Sequence, residues 1–228
     1  MNRSFWDEEQ VVDAFGQSYY FYGAERRLCQ EYFTQGGMIL DLGCGAGRTT
    51  LLLHEGDYNV IGVDLSLRML SHMKRRFPYI RAIAANAAAL PFDSEVFDGV
   101  LFSYNGLSLV YPMEARQRAI AEIHRVLKPN GKFIFSAHNK IGIILNTRDR
   151  SRRTIPERWF ALRHLFVKGY VYEKGIKSHV YYSNVKDLVS ELERHGFLRE
   201  ATYDRNGRFG IRFAQWFDPW PYYCFSKR

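Results

Sequence analysis

Met38-Ile39-Leu40-Asp41-Leu42-Gly43-Cys44-Gly45-Ala46-Gly47-Arg48-Thr49-Thr50 reads as a strand, a tight turn and the start of a helix. The apolar run Met38 to Leu40 suits a buried parallel strand, Asp41 closes it, and glycines stand at alternate positions, Gly43, Gly45 and Gly47. Glycine carries no Cβ, so such a loop can turn sharply and let a ligand touch the backbone. A helix predicted over 49–54 places the loop between a strand's carboxyl end and a helix N-terminus, where open α/β sheets bind nucleotide-like ligands. The spacing is G-x-G-x-G, not the G-x-G-x-x-G of a dinucleotide site, and no Lys-Ser/Thr pair ends it as in a phosphate-binding loop. A purely structural strand-to-helix turn is also compatible with these letters.

Downstream, Tyr58 to Val63 predicts a second strand ending at Asp64, seventeen residues past Gly47. A carboxylate at that place can accept hydrogen bonds from both hydroxyls of a ribose. Ser66 is a good N-cap for the helix that follows, with Leu67, Leu70 and Met73 on its apolar side. Ile80 to Ala84 predicts a third strand, Phe97 to Ser103 a fourth and Lys132 to Ala137 a fifth. Helix Met113 to Leu127 lies between the last two, and Pro129-Asn130-Gly131 makes the turn out of it. Upstream, residues 1–35 read as a helical cap with an irregular apolar stripe that includes Val11, Val12, Phe15, Tyr19 and Tyr22. Near the end, Ser183 is the expected cap of a helix carrying Val185, Leu188, Val189 and Leu192, and Gly196 stops it. Phe197 to Asp204 and Tyr222 to Ser226 are the last two expected strands.

Asp41-Leu42-Gly43-Cys44-Gly45-Ala46-Gly47 resembles the first motif of the class I S-adenosylmethionine-dependent methyltransferases. Asp64, the segment Ala85-Asn86-Ala87-Ala88-Ala89-Leu90-Pro91-Phe92, and Arg125-Val126-Leu127-Lys128-Pro129-Asn130-Gly131-Lys132-Phe133 resemble further landmarks of that family, in the family's order. The likeness covers roughly residues 36 to 138. It implies a Rossmann-like α/β fold: seven strands, mostly parallel, helices on both faces, the last strand antiparallel. It implies S-adenosylmethionine as cofactor, S-adenosylhomocysteine as product, and no metal. Carried onto this chain, the cofactor-binding positions are Asp41, Gly43, Cys44, Gly45, Gly47, Asp64, Leu65, Asn86, Ala87, Ser103 and Tyr104, with Tyr19 reaching in from the cap. Asn86 departs from the family's acidic residue, and its amide oxygen can still accept from an adenine amino group. Asn105 is followed by Gly-Leu and not by Pro-Pro-aromatic, which removes support for amide or adenine nitrogen chemistry of that type.

At 228 residues and 46% hydrophobic, the chain is long enough for one domain with a full core. The polar start lacks a signal-type segment, the most apolar short run (Ile141 to Leu145) cannot span a bilayer, and Cys29, Cys44 and Cys224 show no metal or disulfide spacing. A reducing cytoplasm is the expectation. The net charge of +8 is concentrated: Arg148 to Lys177 holds nine Lys/Arg against three Asp/Glu, interleaved with aromatics. Residues 139–182 are therefore expected to be a basic, aromatic lid inserted after strand five, either gripping an anionic partner or simply solvated outside. The expected activity is methyl transfer to an oxygen, nitrogen or carbon of a small metabolite or natural-product intermediate. The alternatives are an RNA or protein methyltransferase using the basic stretch, or a non-catalytic cofactor-binding partner subunit. His138, just past strand five, is the candidate general base, with His179, Tyr181 and Tyr182 behind it.

Overall fold

The computed structural model describes residues 3–17, 19–145 and 169–228. Seven strands form one sheet: β1 (Met38–Leu42), β2 (Asn59–Asp64), β3 (Arg81–Ala84), β4 (Phe97–Phe102), β5 (Leu127–Ser136), β8 (Phe197–Tyr203) and β9 (Tyr222–Lys227). Their order is β3-β2-β1-β4-β5-β9-β8. β1 to β5 run parallel, and β9 inserts antiparallel between β5 and β8. The order reverses between β1 and β4, so their diverging connections open a crevice at the carboxyl edge. A separate antiparallel hairpin, β6 (Gly169–Glu173) and β7 (Ser178–Tyr182), packs on a one-turn helix at Gly106–Leu109.

Both faces of the sheet are covered, which is why the central strands are apolar on both sides. Side chains alternate: Leu40, Val100 and Phe133 join the core under α6 (Met113–Val126) and α8 (Val185–Arg194). Ile39, Leu101 and Ile134 join the opposite core under α3 (Gly23–Tyr32), α4 (Arg48–Glu55) and α5 (Leu67–Arg76). The remaining helices are α1 (Arg3–Trp6), α2 (Glu9–Gly16), α7 (Lys140–Leu145) and α9 (Ile211–Phe217).

Ser66 caps α5 as expected, its Oγ accepting from the Met69 N–H. Three local expectations change. β1 continues through Asp41 to Leu42, because Asp41 still pairs with Gly62 of β2. The cap of α8 is Asn184, whose Oδ1 accepts from the Asp187 N–H, because Ser183 is still engaged in backbone pairing with Asn139 and Lys140. Pro129 to Gly131 form a bulge inside β5: Leu127 pairs with Phe97 and Lys132 with Gly99, so the pairing brackets the expected turn. The N-terminal segment is three helices, interrupted before Glu9 and before Gly23. Most of the expected lid, 146–168, lies outside the described residues. No helix among the described residues is long and apolar enough to cross a membrane. Cys29, Cys44 and Cys224 are buried free thiols.

Candidate active site

The glycine loop hangs from the end of β2: the N–H groups of Gly43 and Cys44 both donate to the Val63 carbonyl, at 2.7 and 3.0 Å. Its three glycines have positive φ and different surroundings. A Cβ at Gly43 would lie 2.9 Å from the Phe102 ring, and one at Gly47 2.9 Å from Met73 Cγ, so these two serve packing. At Gly45 (φ +54) nothing lies within 4 Å, and the backbone there borders open space. The Gly45 N–H donates to Asp64 Oδ2 at 2.8 Å, and the Ser66 N–H to Asp64 Oδ1 at 2.8 Å. Burial pushes the Asp64 carboxyl up, against these backbone donors, which favour its charged form.

The cleft at this edge has two lobes that share Gly43, Asp64 and Phe102. One is walled by Cys44, Gly45, Ser103 and Tyr104, and by Trp6 and Phe15 from the N-terminal helices. The other is walled by Leu65, Asn86, Ala87, Val110 and Tyr111. Asp64 therefore stands at the waist of an elongated cleft. Trp6, Phe15 and Tyr104 are linked edge-to-face at 5.6 and 5.4 Å, and the Trp6 Nε1–H is buried with no partner. Asn86 Oδ1 accepts from the Ala88 N–H at 2.9 Å and keeps a second lone pair.

A charged network that the sequence reading did not foresee reaches the first lobe at Arg48 and Ser103. Arg48 forks onto both oxygens of Glu25, at 2.8 and 2.7 Å, and also donates to Ser103 Oγ at 2.7 Å and the Tyr20 carbonyl at 2.7 Å. Glu25 is fully buried and also accepts from the Tyr22 N–H, the Ser103 hydroxyl and the Tyr222 hydroxyl. Burial alone would lower the Arg48 pKa, but the Glu25 carboxylate more than reverses that and raises it. The available signal was Arg48 itself, a cation in the first turn of a helix, where the dipole disfavours it unless an acid is near.

Gly43, Cys44, Gly45, Asp64, Leu65, Asn86, Ala87, Ser103 and Tyr104 thus come together around one cleft. Asp41, Gly47, Tyr19 and His138 do not line it. Asp41 is 1% exposed behind the loop and accepts from the hydroxyls of Thr49 and Thr50, at 2.7 and 2.6 Å; burial raises its pKa to about 6. Tyr19 turns away, its hydroxyl on the Gly16 carbonyl and its ring against Phe77 and under Arg76. The His138 ring packs 5.1 Å from Tyr182 with its Nδ1 buried and unpaired, and burial lowers its pKa to about 4. His179 stacks on Tyr111, Tyr181 lies under Arg116, and the Tyr182 hydroxyl donates to Glu173. Among the described residues no cluster of His, Cys, Asp or Glu could hold a metal ion.

Comparison with known proteins bears on this arrangement. A methyltransferase domain family matches residues 39–131, the segment that contains the glycine loop, Asp64 and Asn86. Among solved structures, an S-adenosylmethionine-dependent methyltransferase from Mesorhizobium loti superposes with a TM-score of 0.65 at 22% identity, covering 90% of this chain and 98% of that one. Residues 39–131 are thus those of a methyltransferase domain, and the chain as a whole resembles the class I S-adenosylmethionine-dependent methyltransferases in fold. S-adenosylmethionine is accordingly the cofactor of this methyltransferase. The CcbJ methyltransferase of Streptomyces caelestis shares the fold over the whole of both chains, with a TM-score of 0.73 at 14% identity. An uncharacterized protein of Methanocaldococcus jannaschii is 29% identical over 80% of this chain and 70% of its own length. A demethylmenaquinone methyltransferase of Symbiobacterium thermophilum is 40% identical over 47% of this chain, and the match spans 45% of that protein.

Proposed function

We propose that this chain transfers a methyl group from S-adenosylmethionine to an oxygen, nitrogen or carbon atom of a small metabolite with an apolar, aromatic body. The observation that carries the reading is the two-lobed cleft with Asp64 at its waist, which matches a ligand having an adenine at one end, a methionine at the other and a ribose between. In this reading Asp64 accepts the two ribose hydroxyls with the lone pairs that Gly45 and Ser66 leave free. Leu65, Asn86 and Ala87 hold the adenine. Cys44, Gly45, Ser103 and Tyr104 line the methionine lobe, where the unpaired Trp6 Nε1–H offers a donor to a carboxylate. Asp41 and Gly47 act from behind, by fixing the loop.

The cofactor, when bound, supplies an electrophilic methyl group on a sulfonium centre. The chain's own part is to align the acceptor with that group and keep water out. Trp6, Phe15 and Tyr104 form the apolar wall suited to this. Among the described residues the methionine lobe is lined by no histidine or glutamate, and His138 is neutral and turned elsewhere. We therefore assign His138 no base role and expect an acceptor nucleophilic at neutral pH, such as an amine, a phenolate or an enolate. The relative named demethylmenaquinone methyltransferase fits such an aromatic acceptor. We further read residues 1–228 as one domain with a cap at 1–35 and a lid at 139–182. The buried free thiols fit a cytoplasmic location.

The test is transfer of radiolabelled methyl from S-adenosylmethionine to a panel of phenolic, quinol and amine acceptors. Label in one acceptor class, lost in a Tyr104→Ala/Trp6→Ala variant, is expected. Label going instead into RNA, with affinity falling steeply as salt rises, would replace this reading with the nucleic-acid one.

A further inference from the structure

The carboxyl edge of the sheet carries a second surface beside the cleft. Residues 205–217, the turn before α9 and α9 itself, read Arg-Asn-Gly-Arg-Phe-Gly-Ile-Arg-Phe-Ala-Gln-Trp-Phe, with three arginines and no acid. Phe209, Trp216 and Phe217 are 45%, 47% and 46% exposed. Large aromatics so closely grouped at the surface mark an interaction site more often than scattered single ones do. Leu145, at the end of α7, is exposed as well, and α7 packs against α9. Arg208 and Arg212 are exposed. The nearest acids in the chain are turned inward: Asp204 accepts the N–H groups of Arg208 and Phe209, Asp218 those of Arg205 and Trp220, and both are buried. The outer face is thus aromatic and cationic, with no carboxylate of its own segment to neutralise it.

This surface is fixed to the sheet. Asn139, 1% exposed and just past β5, places its Nδ2 within 3.3, 3.0 and 2.9 Å of the carbonyls of Ala214, Gln215 and Asp218. A Cβ at Gly142 of α7 would lie 1.9 Å from the Asp218 carbonyl oxygen, so the two elements meet backbone to backbone.

We propose that the α7–α9 surface docks the protein on an anionic lipid bilayer, independently of which acceptor is methylated. Charge complementarity selects this occupant. Trp and Phe rings settle at the headgroup level of a bilayer, and flanking arginines pair with its phosphates. The chain's net charge of +8, including the basic stretch that follows Leu145 in sequence, adds long-range attraction to an anionic leaflet. A second copy of this chain would instead set Arg208 and Arg212 against their own equivalents, an arrangement that like charges oppose. Docking here turns the carboxyl edge, with its cleft, toward the lipid.

Flotation of the full chain with vesicles of phosphatidylcholine, with and without phosphatidylglycerol, tests this. Wild type should float with the anionic vesicles and remain behind with the neutral ones. Each of Arg208→Gln and Arg212→Gln should lower partitioning about fivefold, and Trp216→Ser/Phe217→Ser should abolish it, with all variants keeping the wild-type unfolding midpoint. If the aromatic variant proves unstable, the arginine variants alone decide. The proposal is overturned if wild type does not float with anionic vesicles, or if the arginine variants float as well as wild type. It is also overturned if the surface instead mediates a dimer that Trp216→Ser dissociates, or retains RNA in place of lipid.

Discussion

Asp41 and Asp64 lie on neighbouring parallel strands, and burial raises the pKa of both, yet only Asp64 faces the cleft. The letters of a glycine-rich motif do not say on which side of a loop an acid will point. Asp41 fell behind the loop because two adjacent hydroxyls, Thr49 and Thr50, offered it partners at the start of α4. Its pKa of about 6 is above the unfolded carboxylate value of 3.8, so the folded chain holds the proton more tightly. That contribution to stability is complete below the unfolded value and is lost as pH rises through about 6. His138 has the opposite sign: its folded pKa of about 4 lies below 6.5, so its contribution is present above 6.5 and is lost as pH falls through about 4. Unfolding midpoints across this pH range should show Asp41→Asn gaining on wild type as pH rises, and His138→Gln gaining on wild type as pH falls. Turnover of His138→Gln should stay within about twofold of wild type at neutral pH, since loss of a true general base costs about a hundredfold or more.

At the scale of elements, the strands and the helices packed on them were legible because their apolar periods are long and their ends carry glycine, proline or a capping side chain. The α8 cap was misplaced by one residue for a tertiary reason: a backbone bridge between Asn139 and Ser183 holds Ser183 extended, and Asn184 takes the cap. Asn184→Ala should cost about 1 kcal/mol in urea unfolding, and Ser183→Ala less. The Glu25–Arg48 pair joins α3 to the start of α4 and was not legible, because twenty-three residues and a strand separate partners that only the folded sheet brings together. Both side chains are removed from water, so breaking the pair strands a buried charge. Glu25→Ala should destabilise the chain by about 3–5 kcal/mol, whereas the double variant Glu25→Leu/Arg48→Met should recover most of that loss. Equal destabilisation of the double variant would show that shape, and not the unpaired charge, sets the cost.

For the whole molecule, the family resemblance over roughly residues 36 to 138 anticipated the sheet, its one antiparallel strand and the place of the cleft. That succeeded because a βα glycine loop, a strand-end acid and parallel apolar strands admit few topologies. The cleft's roof was less legible. Phe15 was visible as part of an apolar stripe, but nothing in the letters placed it with Trp6 over the loop, since that contact depends on how α1 and α2 pack across α5. The exposure of Trp216 and Phe217 on α9 likewise has no signal in the letters, because it is set by how α9 packs on α7.

The central claim is that Asp64 anchors S-adenosylmethionine in the two-lobed cleft. Calorimetric titration with S-adenosylhomocysteine, for wild type and for Asp64→Ala, tests it most directly. Saturable binding to wild type is predicted, weakened about 10- to 100-fold in the variant, as expected when hydrogen bonds to a charged acceptor are lost. Equal affinity of the two proteins, with the variant folded, would contradict the assignment of Asp64, and failure of folded wild type to bind would contradict the account of the cleft.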